Sequence, residues 1–239
     1  MKKLSIILVS LVIIMGAFAG SKTPVQQLIK RLVKLQKKGV MVGHQDDPVY
    51  GTTWKWDKGR SDVKDVCGEY PAVMGFELGA LELDSTKNLD GVPFDRMRDE
   101  IVAQYNRGGI ITISWHPYNP VTGKNAWDTS GTPLKEIFLG GSQYQKFKSW
   151  LGKVATFLNS LKTADGKKIP IIFRPWHEMT GGWFWWGRNS CTSEEYKKLF
   201  EYTIKMLRGL GVDNAVICYS PGADSKETET SYMTYYPGD

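Results

Sequence analysis

Residues 169–187 read Ile-Pro-Ile-Ile-Phe-Arg-Pro-Trp-His-Glu-Met-Thr-Gly-Gly-Trp-Phe-Trp-Trp-Gly. The segment opens with an apolar run, Ile169 to Phe173, whose length and composition predict a buried strand. Four polar or aromatic side chains follow this strand within five residues: Arg174, Trp176, His177 and Glu178. A strand that ends in a carboxylic acid, a histidine and several indole rings indicates carbohydrate chemistry.

Predicted helices and short apolar strands alternate five times along the chain, beginning with a helix. Strands are predicted at 40–42, 71–76, 110–113, 169–173 and 215–218. Apolar residues at helical spacing predict helices at 24–38, 62–69, 94–107, 143–162 and 192–208. Residues 222–239 are polar and lack such periodicity. Alternation of short, continuously apolar strands with helices is typical of a parallel sheet covered by helices.

Two parallel α/β architectures are compatible with this pattern. No GxGxxG motif follows a predicted strand, which disfavours a dinucleotide-binding fold. The alternative is a TIM barrel, which has eight β/α units and takes about 250 residues. Five units are predicted here, so we expect an α/β chain that forms a (β/α)8 TIM barrel truncated after about the fifth β/α unit.

The N-terminus carries the pattern of a signal peptide. Lys2 and Lys3 precede an apolar run from Leu4 to Ile14, and residues 17–19 form a small-x-small cleavage site. We therefore expect residues 1–19 to be removed and residues 20–239 to be secreted or periplasmic. An amphipathic anchor that is retained is the alternative. The run is too short to span a membrane, so we expect no membrane insertion after cleavage.

Charge and cysteine content narrow the choice of partners. Loss of Lys2 and Lys3 would lower the formal net charge from +6 to +4, and the other basic residues are scattered, so nucleic-acid binding is not indicated. Cys67, Cys191 and Cys218 lack metal-ligand spacing. Export permits one disulfide, whose pairing the sequence does not decide. We expect a monomer without a cofactor.

All three histidines follow predicted strands: His44, His116 and His177. In a barrel these positions converge on one face, which favours a functional site over three separate structural roles. A zinc-dependent hydrolase is an alternative, because zinc sites use histidine ligands. The first strand ends in His44-Gln45-Asp46 instead of His-x-His, and no Asp-x-His or lysine-bearing strand end completes a ligand set, so we expect no metal.

The tryptophans, like the histidines, lie mainly where predicted strands end or in the loops that follow them. Of nine tryptophans only Trp150 lies on a predicted helix, and the others lie at strand ends or in loops. Indole rings usually pack in a core, but their flat faces also stack on sugar rings. Function is favoured over packing for Trp183, whereas the two are evenly balanced for Trp54, Trp56 and Trp127.

Glu178 is the best candidate for a catalytic carboxylate, because it follows a strand directly and lies among indoles and a histidine. A structural ion pair with Arg174 is the alternative. Glycoside hydrolysis needs a second carboxylate, about 5–5.5 Å away for retention or about 6.5–9.5 Å for inversion. The candidates after other strands have no comparable surroundings: Asp46, Asp47, Glu77 and Asp224.

Residues 174–187 resemble the acid/base segment of glycoside hydrolase family 26, whose members are chiefly endo-β-1,4-mannanases. Thr180 stands where that family usually has asparagine. Four further segments fit the family in the same order: Gly43-His44-Gln45, Ser114-Trp115-His116-Pro117, Ala126-Trp127-Asp128 and Tyr219-Ser220-Pro221. The resemblance runs from about Val40 to the C-terminus.

The resemblance implies a retaining double displacement on β-1,4-mannosidic bonds of mannans, galactomannans or glucomannans. Glu178 would protonate the leaving glycosidic oxygen and later deprotonate the attacking water. Substrate-binding residues are expected at His116, His177, Trp183, Trp127, Tyr219 and His44. Mannan is thus the expected partner.

The resemblance also places the nucleophilic glutamate after strand seven. Residues 235–239 resemble the lead-in to strand six, so we expect strands six to eight and the nucleophile beyond Asp239. The chain would then be a fragment, inactive alone. The alternatives are a carbohydrate-binding pseudoenzyme and a family relative that acts on β-1,3-xylan or mixed-linkage glucan.

Overall fold

The computed structural model describes residues 23–222 and 229–238. The predicted signal peptide, residues 1–19, lies outside these ranges, as does Asp224, one of the candidate carboxylates. Within the described residues, no helix combines the length and the hydropathy needed to cross a membrane.

The centre of the fold is a parallel sheet. Within the described ranges it has five strands: β1 (Gly43–Gln45), β2 (Val73–Glu77), β3 (Ile110–Ser114), β4 (Ile171–Arg174) and β5 (Ala215–Ile217). Each strand pairs in parallel with the next one along the chain, so the order is β1-β2-β3-β4-β5. Sequential parallel order with intervening helices is the arrangement of a (β/α) barrel. The predicted fold, a truncated (β/α)8 barrel of five β/α units, is confirmed.

One helix precedes β1, and helices follow each strand. They are α1 (Pro24–Leu35), α2 (Asp62–Cys67), α3 (Phe94–Asn106), α4 (Pro133–Glu136), α5 (Tyr144–Ser160), α6 (Ser193–Gly209) and α7 (Glu229–Thr234), with a 3-10 turn at Leu81–Leu83. Thr192 and Glu195 form the predicted capping box of α6, in which each side chain accepts a hydrogen bond from the other residue's backbone N–H. Helix α1 begins with a second capping box, at Thr23 and Gln26.

The two faces of the sheet have different environments. Alternate residues of β2, β3 and β4 belong to the hydrophobic core beneath the helices: Met74, Phe76, Ile111, Ile113, Ile171 and Phe173. The opposite face carries Glu77, Ser114 and Arg174, which are paired in register at the carboxyl ends of these strands. Successive side chains of a strand point to opposite faces, so this row of polar groups faces the barrel interior.

The prediction was wrong for the first strand and for the short helices. Residues 40–42 are not a strand, and Val40 is 98% exposed, because the ladder with β2 begins only where Gly43 meets Val73. The 3-10 turn, α4 and α7 were not predicted. Each has six residues or fewer, which is shorter than the window in which helical periodicity can be recognised.

Candidate active site

The backbone after β4 has an uncommon conformation that places Glu178 at the strand end. Both Trp176 and Glu178 have positive φ values, 53° and 55°. Left-handed backbone at such residues costs on the order of 1–3 kcal/mol and persists where packing holds it. Here the buried Trp176 indole donates to the Thr203 hydroxyl at 3.0 Å, and the Glu178 amide donates to the Ser220 carbonyl at 2.8 Å.

The Glu178 carboxylate faces an open cavity beside an indole. The Nε1–H of Trp183 donates to Glu178 Oε2 at 3.2 Å, and the Trp183 side chain is 47% exposed. A Cβ at Gly181 would lie 2.3 Å from the Trp183 ring, so only glycine leaves room for the ring there. The cavity has a volume of about 240 Å³ and is lined by Glu178, Thr180, Gly181, Gly182, Trp183, Arg188 and Gly222.

The structural alternative for Glu178 was an ion pair with Arg174, but Arg174 contacts another residue. Its guanidinium donates to the Ser220 hydroxyl at 3.2 and 3.1 Å. Among the ion pairs of the described residues, none joins Arg174 to Glu178. Arg174 therefore links the ends of β4 and β5 instead of neutralising the candidate acid.

Three side chains form a contact chain at the ends of β2, β3 and β4, in which Glu77 and His177 are buried and His116 is partly exposed. Glu77 Oε2 contacts Nδ1 of His116 at 2.8 Å, and Nε2 of His116 contacts Nε2 of His177 at 3.0 Å. Burial, followed by the charge of His116, lowers the pKa of His177 to about 4, so His177 is neutral near pH 7. The Nδ1 atom of His177 is buried and has no hydrogen-bond partner among the described residues.

Glu77 orients His116. Its Oε1 accepts hydrogen bonds from the amides of Gly79 (2.6 Å) and His116 (2.7 Å), and its Oε2 accepts one from the Ser114 hydroxyl. Burial would raise the pKa of Glu77, but the hydrogen bond and charge of His116, with the Ser114 hydroxyl, hold it below its ordinary value. Since the carboxylate only accepts, Nδ1 of His116 carries the shared proton.

Aromatic rings form the walls of the cleft. Trp127 stacks on His116, with ring centroids 5.3 Å apart and planes 10° apart, and is 49% exposed. Phe184 lies edge-on to His116 at 5.1 Å, and the Trp185 amide donates to the Ala126 carbonyl at 3.1 Å. The loops after β3 and β4 are thereby joined. Trp54, for which packing and function are evenly balanced in the sequence, is buried and has a packing role.

The structure brings together five of the predicted site residues: Glu178, Trp183, His177, His116 and Trp127. His44 is not among them. It is exposed, lies within β1 and pairs in register with Met74, so its side chain shares the helix-covered face of the sheet. Its Nδ1 contacts the neighbouring Gln45 carbonyl at 2.8 Å.

Tyr219 packs among other tyrosines. Its hydroxyl donates to the Tyr232 carbonyl at 2.7 Å, and its ring lies edge-on to Tyr196 and Tyr236 at 6.3 and 5.6 Å. Burial, followed by the charges of Tyr235 and Tyr232, raises the pKa of Tyr219 to about 12. These contacts attach the segment after β5 to α6.

The described residues hold neither a cluster of metal ligands nor a disulfide. In the described part of the chain, no group of three or more histidine, cysteine, aspartate or glutamate side chains could hold a metal ion. The three cysteines, Cys67, Cys191 and Cys218, are free thiols.

The chain is similar to known family members over most of its length. Residues 19–239 match the family described as Glycosyl hydrolase family 26. A GH26 beta-mannanase structure from Bacteroides ovatus superimposes with a TM-score of 0.87 and 49% sequence identity, covering 91% of this chain and 63% of that one. A GH26 endo-beta-1,4-mannanase catalytic domain from Bacillus sp. JAMB-750 superimposes with a TM-score of 0.82 and 35% identity, covering 91% and 58%.

A curated protein is also similar to this chain. A mannan endo-1,4-beta-mannosidase of Bifidobacterium adolescentis is 36% identical over 185 residues, which are 75% of this chain and 18% of that protein. The chain thus spans less than two thirds of the length of each of these three relatives.

Proposed function

The chain belongs to glycosyl hydrolase family 26, and from that premise we propose that the complete protein is an endo-β-1,4-mannanase. Its substrates are mannans, galactomannans or glucomannans, and it hydrolyses them with retention of configuration. The observation that carries this proposal is the contact of the Glu178 carboxylate with the half-exposed Trp183 indole in the cavity at the end of β4.

Glu178 acts as the acid and then as the base. Trp183 holds Oε2 of Glu178, and the protonated carboxyl transfers its proton to the glycosidic oxygen while that bond breaks and the nucleophilic carboxylate bonds to the anomeric carbon, forming the glycosyl–enzyme intermediate. In the second step the resulting carboxylate removes a proton from the water that attacks the glycosyl–enzyme intermediate. The proton returns to Glu178, so the catalytic cycle closes.

The histidines bind the sugar in the cleavage subsite. His177 is neutral near pH 7 because burial lowers its pKa to about 4. The neutral ring introduces no positive charge that would oppose an oxocarbenium-like transition state. Glu77 and Ser114 fix the orientation of His116. Trp127 and Trp183 supply the stacking faces.

A retaining mechanism requires a second carboxylate about 5–5.5 Å from the first. Glu77 is unsuited to this role, because its two oxygens accept hydrogen bonds from Gly79, Ser114 and His116. We place the nucleophile in the part of the family's catalytic domain that residues 1–239 do not span. The signal peptide at residues 1–19 would direct the protein out of the cytoplasm. The exported protein acts as a monomer.

Substitution of Glu178 in the complete protein tests the assignment. Glu178→Ala should abolish hydrolysis of mannan, measured as reducing ends released, while the first step on substrates with good leaving groups survives. Glu201→Ala, on the exposed side of α6, is the matched control and should leave turnover unchanged. Unchanged mannan turnover by Glu178→Ala would refute the acid/base assignment.

A pseudoenzyme that binds mannan is the second candidate. The observation in its favour is that the described residues place Trp183 and Trp127 beside Glu178 and His116, whereas the Glu77 carboxylate is already hydrogen-bonded to His116. The complete protein would then bind manno-oligosaccharides without releasing reducing ends.

A further inference from the structure

Thr180 is a buried threonine in the loop that carries Glu178, and its hydroxyl is bonded to the segment after β5. The side chain is 4% exposed. Its Oγ1 donates to the Gly222 carbonyl at 3.1 Å and accepts from the Gly222 amide at 2.9 Å. We propose that Thr180, through Gly222, is a positioning residue that holds the Glu178 carboxyl in the orientation for proton transfer to the glycosidic oxygen. The inference deepens the proposed function and rests on it.

The hydrogen bonds of Thr180 continue the pairing of β4 with β5 beyond the ends of both strands. The first contact after the strands is the Glu178 amide, which donates to the Ser220 carbonyl at 2.8 Å. Two residues later on both segments, Thr180 bonds to Gly222. The threonine hydroxyl replaces a backbone group there, because it donates and accepts at once. Glu178 is therefore fixed to the segment after β5 at its own amide and again at Thr180.

The Gly222 backbone lies next to Glu178. A Cβ placed at Gly222 would lie 3.6 Å from Cα of Glu178 and 3.7 Å from its Cβ, which is van der Waals contact. The same Cβ would lie 3.1 Å from Oγ1 of Thr180, so an added methyl group requires a small movement of that side chain. The position of Gly222, which the Thr180 hydroxyl sets, thus limits the directions that the Glu178 side chain can take.

A tight turn connects Thr180 to Glu178 within the loop. The Gly181 amide donates to the Glu178 carbonyl at 3.0 Å, which places Thr180 inside a turn that begins at Glu178. The φ value of Glu178, 55°, is one that non-glycine residues keep only where their surroundings hold it. At the far end of the side chain, the Trp183 indole donates to Oε2 at 3.2 Å. Thr180 therefore fixes the backbone of the acid, while Trp183 fixes its carboxylate.

The Thr180 hydroxyl acts on Glu178 and does not donate to the sugar. Its one proton is donated to Gly222, and the side chain is almost completely buried although it borders the Glu178 cavity. A misplaced acid slows cleavage where the leaving group needs a proton, but not where the leaving group departs readily as an anion. Loss of the Thr180 hydroxyl should therefore have an effect that depends on the leaving group.

Kinetics of the complete protein with two kinds of leaving group test the inference. Thr180→Val removes the hydroxyl and keeps the shape of the side chain. It should lower kcat/KM on mannohexaose about tenfold to hundredfold, because the acid is misplaced. Its kcat/KM on a dinitrophenyl β-mannobioside should stay within about twofold of the wild type, because that leaving group needs no proton. Thr180→Ser keeps the hydroxyl and should restore most of the loss on mannohexaose.

Two further variants complete the design. Thr156→Val is the matched control, because it removes a hydroxyl that donates to the Gly152 carbonyl at 2.9 Å on α5, and it should leave both values of kcat/KM unchanged. Gly222→Ala keeps Thr180 but displaces it slightly, and should cause a smaller loss on mannohexaose alone. Circular dichroism and thermal melting would show that the variants fold, and Gly222→Ala tests the contact if Thr180→Val does not fold.

The outcomes separate this inference from the function on which it rests. If the wild type hydrolyses mannohexaose and Thr180→Val lowers kcat/KM for neither substrate, or for both by the same factor, the positioning role is refuted and the proposed function stands. A higher KM for both substrates with kcat unchanged would also refute it, because Thr180 would then bind the sugar. If the wild type hydrolyses neither substrate, both proposals fail.

Discussion

Asp46 makes the stability of this fold depend on pH in a way that one substitution can reveal. Its side chain is completely buried after β1, and neither carboxylate oxygen makes a hydrogen bond that meets normal geometry within the described residues. Burial, followed by the negative charges of Asp90 and Glu77, raises the pKa of Asp46 from 3.8 to about 7, and the Gln45 side chain opposes the shift only in part. Asp46→Asn keeps the shape of the side chain and removes the ionisation.

The size of the effect follows from the difference between the two pKa values. The folded protein binds the Asp46 proton with a pKa of about 7, whereas the unfolded chain releases it near 3.8. Each pKa unit corresponds to 1.36 kcal/mol, so ionisation of Asp46 costs the folded state about 4 kcal/mol. Because the pKa of Asp46 is raised in the folded state, folding is more favourable while Asp46 is protonated. This contribution to the free energy of unfolding is fully present below pH 4 and is lost as the pH rises toward 7. Asp46→Asn should therefore gain about 4 kcal/mol relative to the wild type between pH 4 and pH 8.

Urea unfolding at several pH values measures this difference directly. The free energy of unfolding of the wild type and of Asp46→Asn would be determined by circular dichroism at pH 4, 5.5 and 8. Asp99→Asn, on the exposed side of α3, is the matched control for removal of one carboxylate. A difference between Asp46→Asn and the wild type that stays constant within about 1 kcal/mol across this range would refute the argument.

Two further predictions concern the histidine pair. The ring proton resonances of His177 should titrate with a pKa of about 4, as measured by nuclear magnetic resonance, and a midpoint near the ordinary 6.5 would contradict the effect of burial. Glu77→Gln should lower the free energy of unfolding by about 1–3 kcal/mol and weaken mannobiose binding, because the amide cannot accept all the hydrogen bonds that the carboxylate accepts. Chemical denaturation and calorimetry would measure both, and mannobiose binding equal to that of the wild type would show that Glu77 does not position His116.

The fold could be predicted because the strands are short apolar runs separated by periodic helices. Strands β3, β4 and β5 lie within two residues of their predicted bounds, since their apolar side chains alone identify them. The first strand was misplaced because Val40 and Val42 have the composition of a buried strand but lie outside the ladder. Composition indicates which residues can form a strand, whereas the register of the neighbouring strand decides which of them do.

The candidate site was predictable only where its residues are close in sequence. Glu178, His177 and Trp183 fall within one segment that follows a recognisable strand. The pairing of Glu77 with His116 joins residues 39 positions apart, and it depends on the parallel register that sets Glu77 beside Ser114. The sequence indicates Glu77 only as a possible second carboxylate, because no local pattern shows which strand ends meet.

Rescue of the Glu178→Ala variant of the complete protein by azide tests the central claim most directly. Loss of the acid/base leaves the glycosyl–enzyme intermediate without a base to activate water, but azide attacks the anomeric carbon as an anion and needs no base. With an aryl β-mannobioside as substrate, we expect azide to restore turnover and to yield a mannobiosyl azide of β configuration. Turnover that azide does not change, with hydrolysis as fast as that of the wild type, would contradict the assignment of Glu178.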